Sequence, residues 1–240
     1  VAPGAPSPRR SPTLRATTSP FDAVQGFQLI IFDCDGVLVD SERITNQVFL
    51  EMLGELGLAF TLDDMFDEFV GRSMAHCVEK ISGLLGKPPP DDFVKTYRAR
   101  SKLALEAKLT VVPGIEQALD QITLPYCVAS GGDHDKMRMT LGLTGLWPRF
   151  AGRLFSVTEV ERPKPAPDVF LYAAERCGVR PSACVVVEDS PTGVIAGVAA
   201  GMTVLGYAGS TPAHRLRAAG AHRVFDRMAE LPRLVMADTV

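Results

Sequence analysis

The stretch Leu29-Ile30-Ile31-Phe32-Asp33-Cys34-Asp35-Gly36 constrains the fold more than any other. Four apolar residues with no polar interruption read as a strand buried on both faces, the pattern of a central strand in a parallel α/β sheet. In open sheets of that kind chemistry gathers beyond the carboxyl ends of the strands, which is where Asp33 and Asp35 fall. Gly36 then lets the chain turn sharply. Two carboxylates this close repel one another unless a cation or a shared proton intervenes. That points to a metal, and to Mg²⁺ in particular, an ion that takes one or two carboxylates together with substrate phosphate oxygens. Taken alone, the pair is equally well explained as turn chemistry, where Asp is common.

The length of 240 residues suits one sheet domain with a sizeable insertion. With 46% hydrophobic and 22% charged residues the chain can bury a full core. A net charge of -3 and the lack of a basic stripe argue against a nucleic-acid partner, and no apolar run is long enough to span a bilayer. The five cysteines show no metal-ligand spacing and no disulfide framework, so a reducing, cytoplasmic setting is expected. Cys34, between two acids, is expected to pack rather than react, because its anionic neighbours discourage a thiolate. A monomer or weak homodimer is expected.

Residues 1–24 are expected to form a disordered tail. The first twenty hold five prolines, three arginines and no acid, and have little to bury. This composition faintly resembles a transit peptide, but the stretch is short and lacks an amphipathic pattern, so organelle targeting is the lesser reading. After the first strand the next buried run is Leu124 to Ser130, about 90 residues on, whereas a βαβ unit needs about 30. Helical spacing over 42–57, 63–69, 74–85 and 91–107 fills the gap. The expected organisation is therefore a doubly wound, Rossmann-like parallel sheet core (25–40 and 108–240) with an inserted all-helical cap (41–107) that emerges over the acids as a lid. Further strands are expected at 153–156, 184–188, 203–207 and 223–225, separated by helices at 114–121, 133–141, 167–177 and 191–200.

Three other segments carry chemistry-bearing residues at strand ends or loops of this sheet. Ser130-Gly131-Gly132 offers a hydroxyl and free backbone N–H groups near a helix start, a plausible phosphate cradle and also an ordinary turn. Lys164, between Pro163 and Pro165, rides on a stiff stalk that would aim a cation at an anionic transition state, or simply hold it in solvent. Glu188-Asp189-Ser190 ends an apolar run, so that Asp189 either completes a metal site with Asp33 or merely caps the next helix.

In this order the four segments resemble the haloacid dehalogenase superfamily over residues 27–235. They match its motifs as Asp33-Cys34-Asp35-Gly36-Val37-Leu38-Val39-Asp40-Ser41-Glu42, Val128-Ala129-Ser130-Gly131, Lys164-Pro165-Ala166-Pro167-Asp168 and Val187-Glu188-Asp189-Ser190. The place of the cap is similar to that of the subgroup containing β-phosphoglucomutase and small-molecule phosphatases, and the layout looks closest to phosphatases of the 6-phosphogluconate phosphatase type. The resemblance implies an Mg²⁺-dependent phosphatase of a small phosphorylated metabolite, a sugar phosphate or sugar-acid phosphate. Asp33 would be the nucleophile, Asp35 the general acid and base, and Ser130, Gly131 and Lys164 the phosphoryl-binding groups. Mg²⁺ would sit on Asp33, the Asp35 carbonyl and Asp189, with Glu188 close by or bound through water. Asp35 also separates the chain from true dehalogenases, which lack it. The mutase carries a histidine where this chain has Thr45 and a cap arginine where it has Met74, so a hexose-phosphate mutase is the second reading. A catalytically idle binding protein of the same fold is the third. Arg72 is the expected cap contact to substrate, with His76 and Lys80 as further candidates.

Overall fold

The computed structural model describes residues 26–69 and 74–236, apart from the side chains of residues 63, 66 and 67. Arg72 and the 1–24 tail lie outside the described residues.

The chain opens with β1 (Leu29–Phe32). Helices α1 (Ser41–Glu55), α2 (Leu62–Glu68), α3 (Met74–Leu85) and α4 (Phe93–Lys108) follow before the alternation begins. It runs α5 (Ile115–Gln121), β2 (Tyr126–Ser130), α6 (His134–Leu143), α7 (Trp147–Phe150), β3 (Leu154–Ser156), α8 (Asp168–Arg176), β4 (Cys184–Glu188), α9 (Pro191–Ala199), β5 (Thr203–Tyr207), α10 (Ala213–Ala218), β6 (Arg223–Phe225) and α11 (Leu231–Met236). The strands form a six-stranded sheet in the order β3-β2-β1-β4-β5-β6, with every pairing parallel. Strand order reverses beside β1, which makes the crevice at its carboxyl end a topological switch point.

The apolar run of β1 is buried on both sides. Ile30 and Phe32 join one core with Leu119, Phe150 and Leu231, while Leu29 and Ile31 join the other with Phe170, Val194 and Val204. That two-sided burial is why the run shows no alternation. β2 starts two residues later than the apolar run predicts. Pro125 has no N–H to give, and only its carbonyl contributes, accepting from Ile30 N at 3.0 Å. Helices α1 to α4 enclose a separate cluster built on Phe49, whose ring meets Phe69, Phe93 and Tyr97 edge-on at 5.4, 5.8 and 5.1 Å. The two crossings between this helical segment and the sheet run side by side. Val39 bridges Val111, and Asp40 N and Val112 N donate to Thr110 O and Leu38 O at 2.9 and 3.0 Å.

Candidate active site

The register of the three central strands delivers the site. Phe32 is level with Val128 of β2 and Val187 of β4, so Asp33, Ser130, Glu188 and Asp189 emerge together at the carboxyl ends. Asp33 N donates to Val187 O at 2.9 Å, carrying the ladder one residue past β1. Carboxylate oxygens of Asp33, Glu188 and Asp189 lie within 4.8 Å of one another, and all three side chains are buried.

Two glycines make room for this crowding. A Cβ on Gly36 would collide with the Asp189 carboxylate, and Gly36 itself sits at φ +75°. A Cβ on Gly193 would collide with the carboxylate of Glu188. The cap of α9 is Ser190, which accepts from Gly193 N at 3.1 Å and donates to Glu188 Oε1 at 2.6 Å. Asp189 is therefore not the helix cap that turn chemistry allowed it to be, and its Oδ2 is buried without a hydrogen-bond partner among the described residues.

Lys164 reaches across from its proline-flanked loop. Its Nζ donates to Asp33 Oδ1 at 2.6 Å and to Ala129 O at 3.2 Å. It also stands 3.6 Å from Glu188 Oε1 and over the Phe170 ring at 4.6 Å. The ammonium group is 9% exposed as a side chain, so this lysine is aimed into the site, not into solvent. Burial alone would favour its neutral form, but Asp33 and then Glu188 hold it firmly protonated.

Asp35 points away from the three clustered carboxylates. Its Oδ2 accepts from Lys136 Nζ at 2.7 Å and its Oδ1 from Ser41 Oγ at 2.5 Å. Burial favours the neutral acid, yet Lys136 with Ser41 outweighs it and holds the carboxyl below the usual Asp range. The sequence reading missed Lys136 and Ser41. Two weak signals existed: Lys136 lies one turn into the helix that follows Ser130-Gly131-Gly132, and Ser41 lies inside the first motif.

Ser130 is buried, and its Oγ accepts from Gly132 N at 3.0 Å. Cys34 is buried, and burial followed by the charges of Asp35 and Asp33 pushes its thiol well above the usual value. Lys80, a candidate cap contact, is paired with Glu68 and lies over the Phe69 ring.

The acids near Asp189 share one electrostatic predicament. Burial, with the charges of Asp33 and others, pushes Glu188 up to about 8. Burial and the nearby Glu42 and Glu188 push Asp189 well above the usual range. Glu42, from the first turn of α1, is pushed to about 7 by burial and by the charges of Asp35 and Asp33. One oxygen each of Glu42, Glu188 and Asp189 is buried without a hydrogen-bond partner among the described residues. The clustered carboxylates of Asp33, Glu188 and Asp189, two of them with an oxygen left bare, fit a hard divalent cation.

Known proteins resemble this chain in sequence and in fold. Residues 27–201 match the family described as haloacid dehalogenase-like hydrolase. The 6-phosphogluconate phosphatase of Escherichia coli is 30% identical over 208 residues, covering 86% of this chain and 94% of that one. A haloacid dehalogenase-like protein of unknown function from Agrobacterium tumefaciens superposes with a TM-score of 0.84 at 37% identity, over 88% of this chain and 99% of that one. A HAD family hydrolase from Deinococcus radiodurans, solved with bound phosphate and sodium, gives a TM-score of 0.77 at 31% identity, over 88% and 96%. The sheet, the strand-end acids and these relatives place the chain in one family, and it is a hydrolase of the haloacid dehalogenase-like family.

Proposed function

We propose that the protein is an Mg²⁺-dependent phosphatase that hydrolyses a small phosphorylated metabolite, a sugar phosphate or sugar-acid phosphate, through an aspartyl-phosphate on Asp33. The observation that carries this reading is the ion pair of Lys164 with Asp33 beside the Asp33, Glu188 and Asp189 cluster. On this reading Asp33 is the nucleophile, Lys164 the phosphoryl-binding cation and the three acids the metal-binding set, gathered at the carboxyl edge of the sheet.

Mg²⁺ would be held by Asp33, Glu188, Asp189 and the Asp35 carbonyl; when bound it neutralises charge on the transferring group and shields the nucleophile from it. The chain's own residues do the rest. Asp33 attacks phosphorus and the ester P–O bond breaks. Lys164 and Ser130 with the Gly131 N–H hold the phosphoryl oxygens, and Lys164 partly offsets the burial that raises the Asp33 carboxyl. Asp35 protonates the leaving oxygen, then accepts a proton from the water that hydrolyses phospho-Asp33. In the free protein Lys136 keeps Asp35 ionised, the form the second half needs. A phosphoryl dianion arriving nearby raises its pKa toward the protonated form the first half needs. The helical segment 41–107 acts as the cap that closes over this chemistry.

The test is a panel of phosphorylated metabolites assayed for inorganic phosphate with Mg²⁺, using Asp33→Asn as the blank. Release from one or more sugar phosphates, absent in the blank, is expected. Conversion of β-glucose 1-phosphate to glucose 6-phosphate with no free phosphate would replace the phosphatase reading by the mutase one.

A further inference from the structure

Three of the five cysteines gather at the amino end of the sheet, opposite the edge that carries Asp33. Cys127 of β2 is level with Ile31 of β1, and Cys184, the first residue of β4, is level with Leu29. Both are buried in the core that α8 covers, and Cys177, which caps the carboxyl end of α8, packs against that core. Cys177 is the one cysteine of the five that is partly exposed.

The three thiols are not equivalent. Cys184 Sγ donates to Arg180 O at 3.4 Å, whereas the Cys127 thiol donates to the Cys177 sulfur. Sulfurs already in hydrogen-bond contact have a short way to travel to the bonded separation of about 2 Å. A cation stands beside this pair. The Arg153 guanidinium lies over the ring of Tyr126, the neighbour of Cys127, at 5.3 Å and donates to Tyr126 O at 3.4 Å. The hydrogen bond from Cys127, with Arg153 acting in the same direction, outweighs partial burial and pulls the Cys177 thiol down to about 7. The same bond, and then burial, push the Cys127 thiol well above the usual value, and burial pushes Cys184 up to about 11. A partly exposed sulfur that ionises near neutrality, in contact with a buried thiol, is the setting in which cysteine oxidation is selective.

We propose that Cys177 and Cys127 form a peroxide-reactive dithiol that closes to a reversible disulfide, Cys177 being the attacking sulfur and Cys127 the resolving one. The Cys177 thiolate attacks one oxygen of hydrogen peroxide, the O–O bond breaks, and the departing hydroxide takes up the proton that Cys177 had released, leaving Cys177 as a sulfenic acid. The Cys127 sulfur then attacks the sulfur of Cys177, the S–O bond breaks, and the hydroxyl leaves with the Cys127 proton as water. Two thiols are oxidised to one disulfide, and one peroxide is reduced to two waters. A dithiol reductant restores the pair by exchange. The bland explanation is that all three cysteines only fill core space. The site stands at the far end of the strands from Asp33 and does not depend on the phosphatase reading.

Intact-mass spectrometry and peptide mapping of the folded full chain, exposed to hydrogen peroxide and then alkylated, separate the two. The wild type should lose two hydrogens per chain, map to a Cys127–Cys177 linkage, and return to the starting mass with dithiothreitol. Cys177 should be consumed at least about tenfold faster than Cys34, Cys77 or Cys184. Cys177→Ser should form no disulfide. Cys127→Ser should stop at the sulfenic acid, trapped on Cys177 by dimedone. Should that buried substitution prevent folding, the wild-type map and rates decide alone. Oxidation of Cys177 no faster than that of the three comparison cysteines would overturn the proposal. So would a linkage from Cys177 to Cys184 or between two chains, or sulfinic acid at Cys177 with Cys127 still reduced.

Discussion

Removing the metal should make the protein's stability fall as pH rises from about 5 to 8. In the folded chain without a cation, Glu188 titrates at about 8 and Glu42 at about 7, both above an ordinary 4.5. A carboxyl whose pKa is raised on folding stabilises the folded state below its unfolded pKa, and that contribution is lost as pH climbs through the folded value. Over this window the folded chain binds more protons than the unfolded one, so the unfolding free energy declines. For Glu188 alone the full loss is on the order of 5 kcal/mol, and Glu42 acts in the same direction. At about 2–4 °C per kcal/mol for a chain of this length, the melting temperature in a chelator should drop by roughly 10 °C across the window. Asp35 is the opposite case. Its pKa is held low, and its contribution disappears only below the ordinary Asp range, outside the scan. Mg²⁺ binds the ionised cluster, so saturating Mg²⁺ should recover most of the loss at pH 8 and almost none at pH 5, where protons hold the site. The assay is thermal unfolding followed by circular dichroism, with chelator or Mg²⁺, for wild type and Glu188→Gln. The variant should flatten the chelator curve. A metal-free melting temperature that is level or rising from pH 5 to 8, or an Mg²⁺ shift equal at both ends, would refute the reasoning.

Gly193→Ala places a methyl group on the Glu188 carboxylate. It should weaken Mg²⁺ binding by about tenfold in calorimetry and cost about 2 kcal/mol of stability. Gly83→Ala, in α3 with open space where the Cβ would go, should instead be neutral or stabilising by about 0.5–1 kcal/mol. Lys136→Met strips Asp35 of its cationic partner. Because Lys136 is 39% exposed as a side chain, the cost at pH 7 should be only about 1–2 kcal/mol. It should shrink below pH 4 in denaturant titrations, as Asp35 becomes protonated in both states.

The sheet was legible because its strands are buried on two faces: Leu29 to Phe32 and Cys184 to Val187 carry no polar residue. Their termini were legible because acids stop those runs abruptly at Asp33 and Glu188. The inserted helices followed from a distance too long for one crossover. Contacts formed between elements left less trace. Lys136 meets Asp35 across 101 positions, and a lysine in an exposed-looking helical turn has nothing local to mark it. Ser41 and Glu42 read as the beginning of the helical insertion. In the fold the first turn of α1 stands beside the strand-end acids, so that Ser41 bonds Asp35 while Glu42 lies beside Asp189. Short elements such as Trp147–Phe150 and Ala213–Ala218 span too few turns for a period to show. Arg72, the expected cap contact, lies outside the described residues.

The central claim is that Asp33 becomes phosphorylated. Rapid acid quench with a radiolabelled sugar phosphate and Mg²⁺ tests it directly. The label should appear on the wild-type protein within one turnover, be released by hydroxylamine as an acyl phosphate is, map to the peptide bearing Asp33, and be absent from Asp33→Asn. Turnover with no protein-bound label, a label on another residue, or hydrolysis surviving in Asp33→Asn would contradict the account.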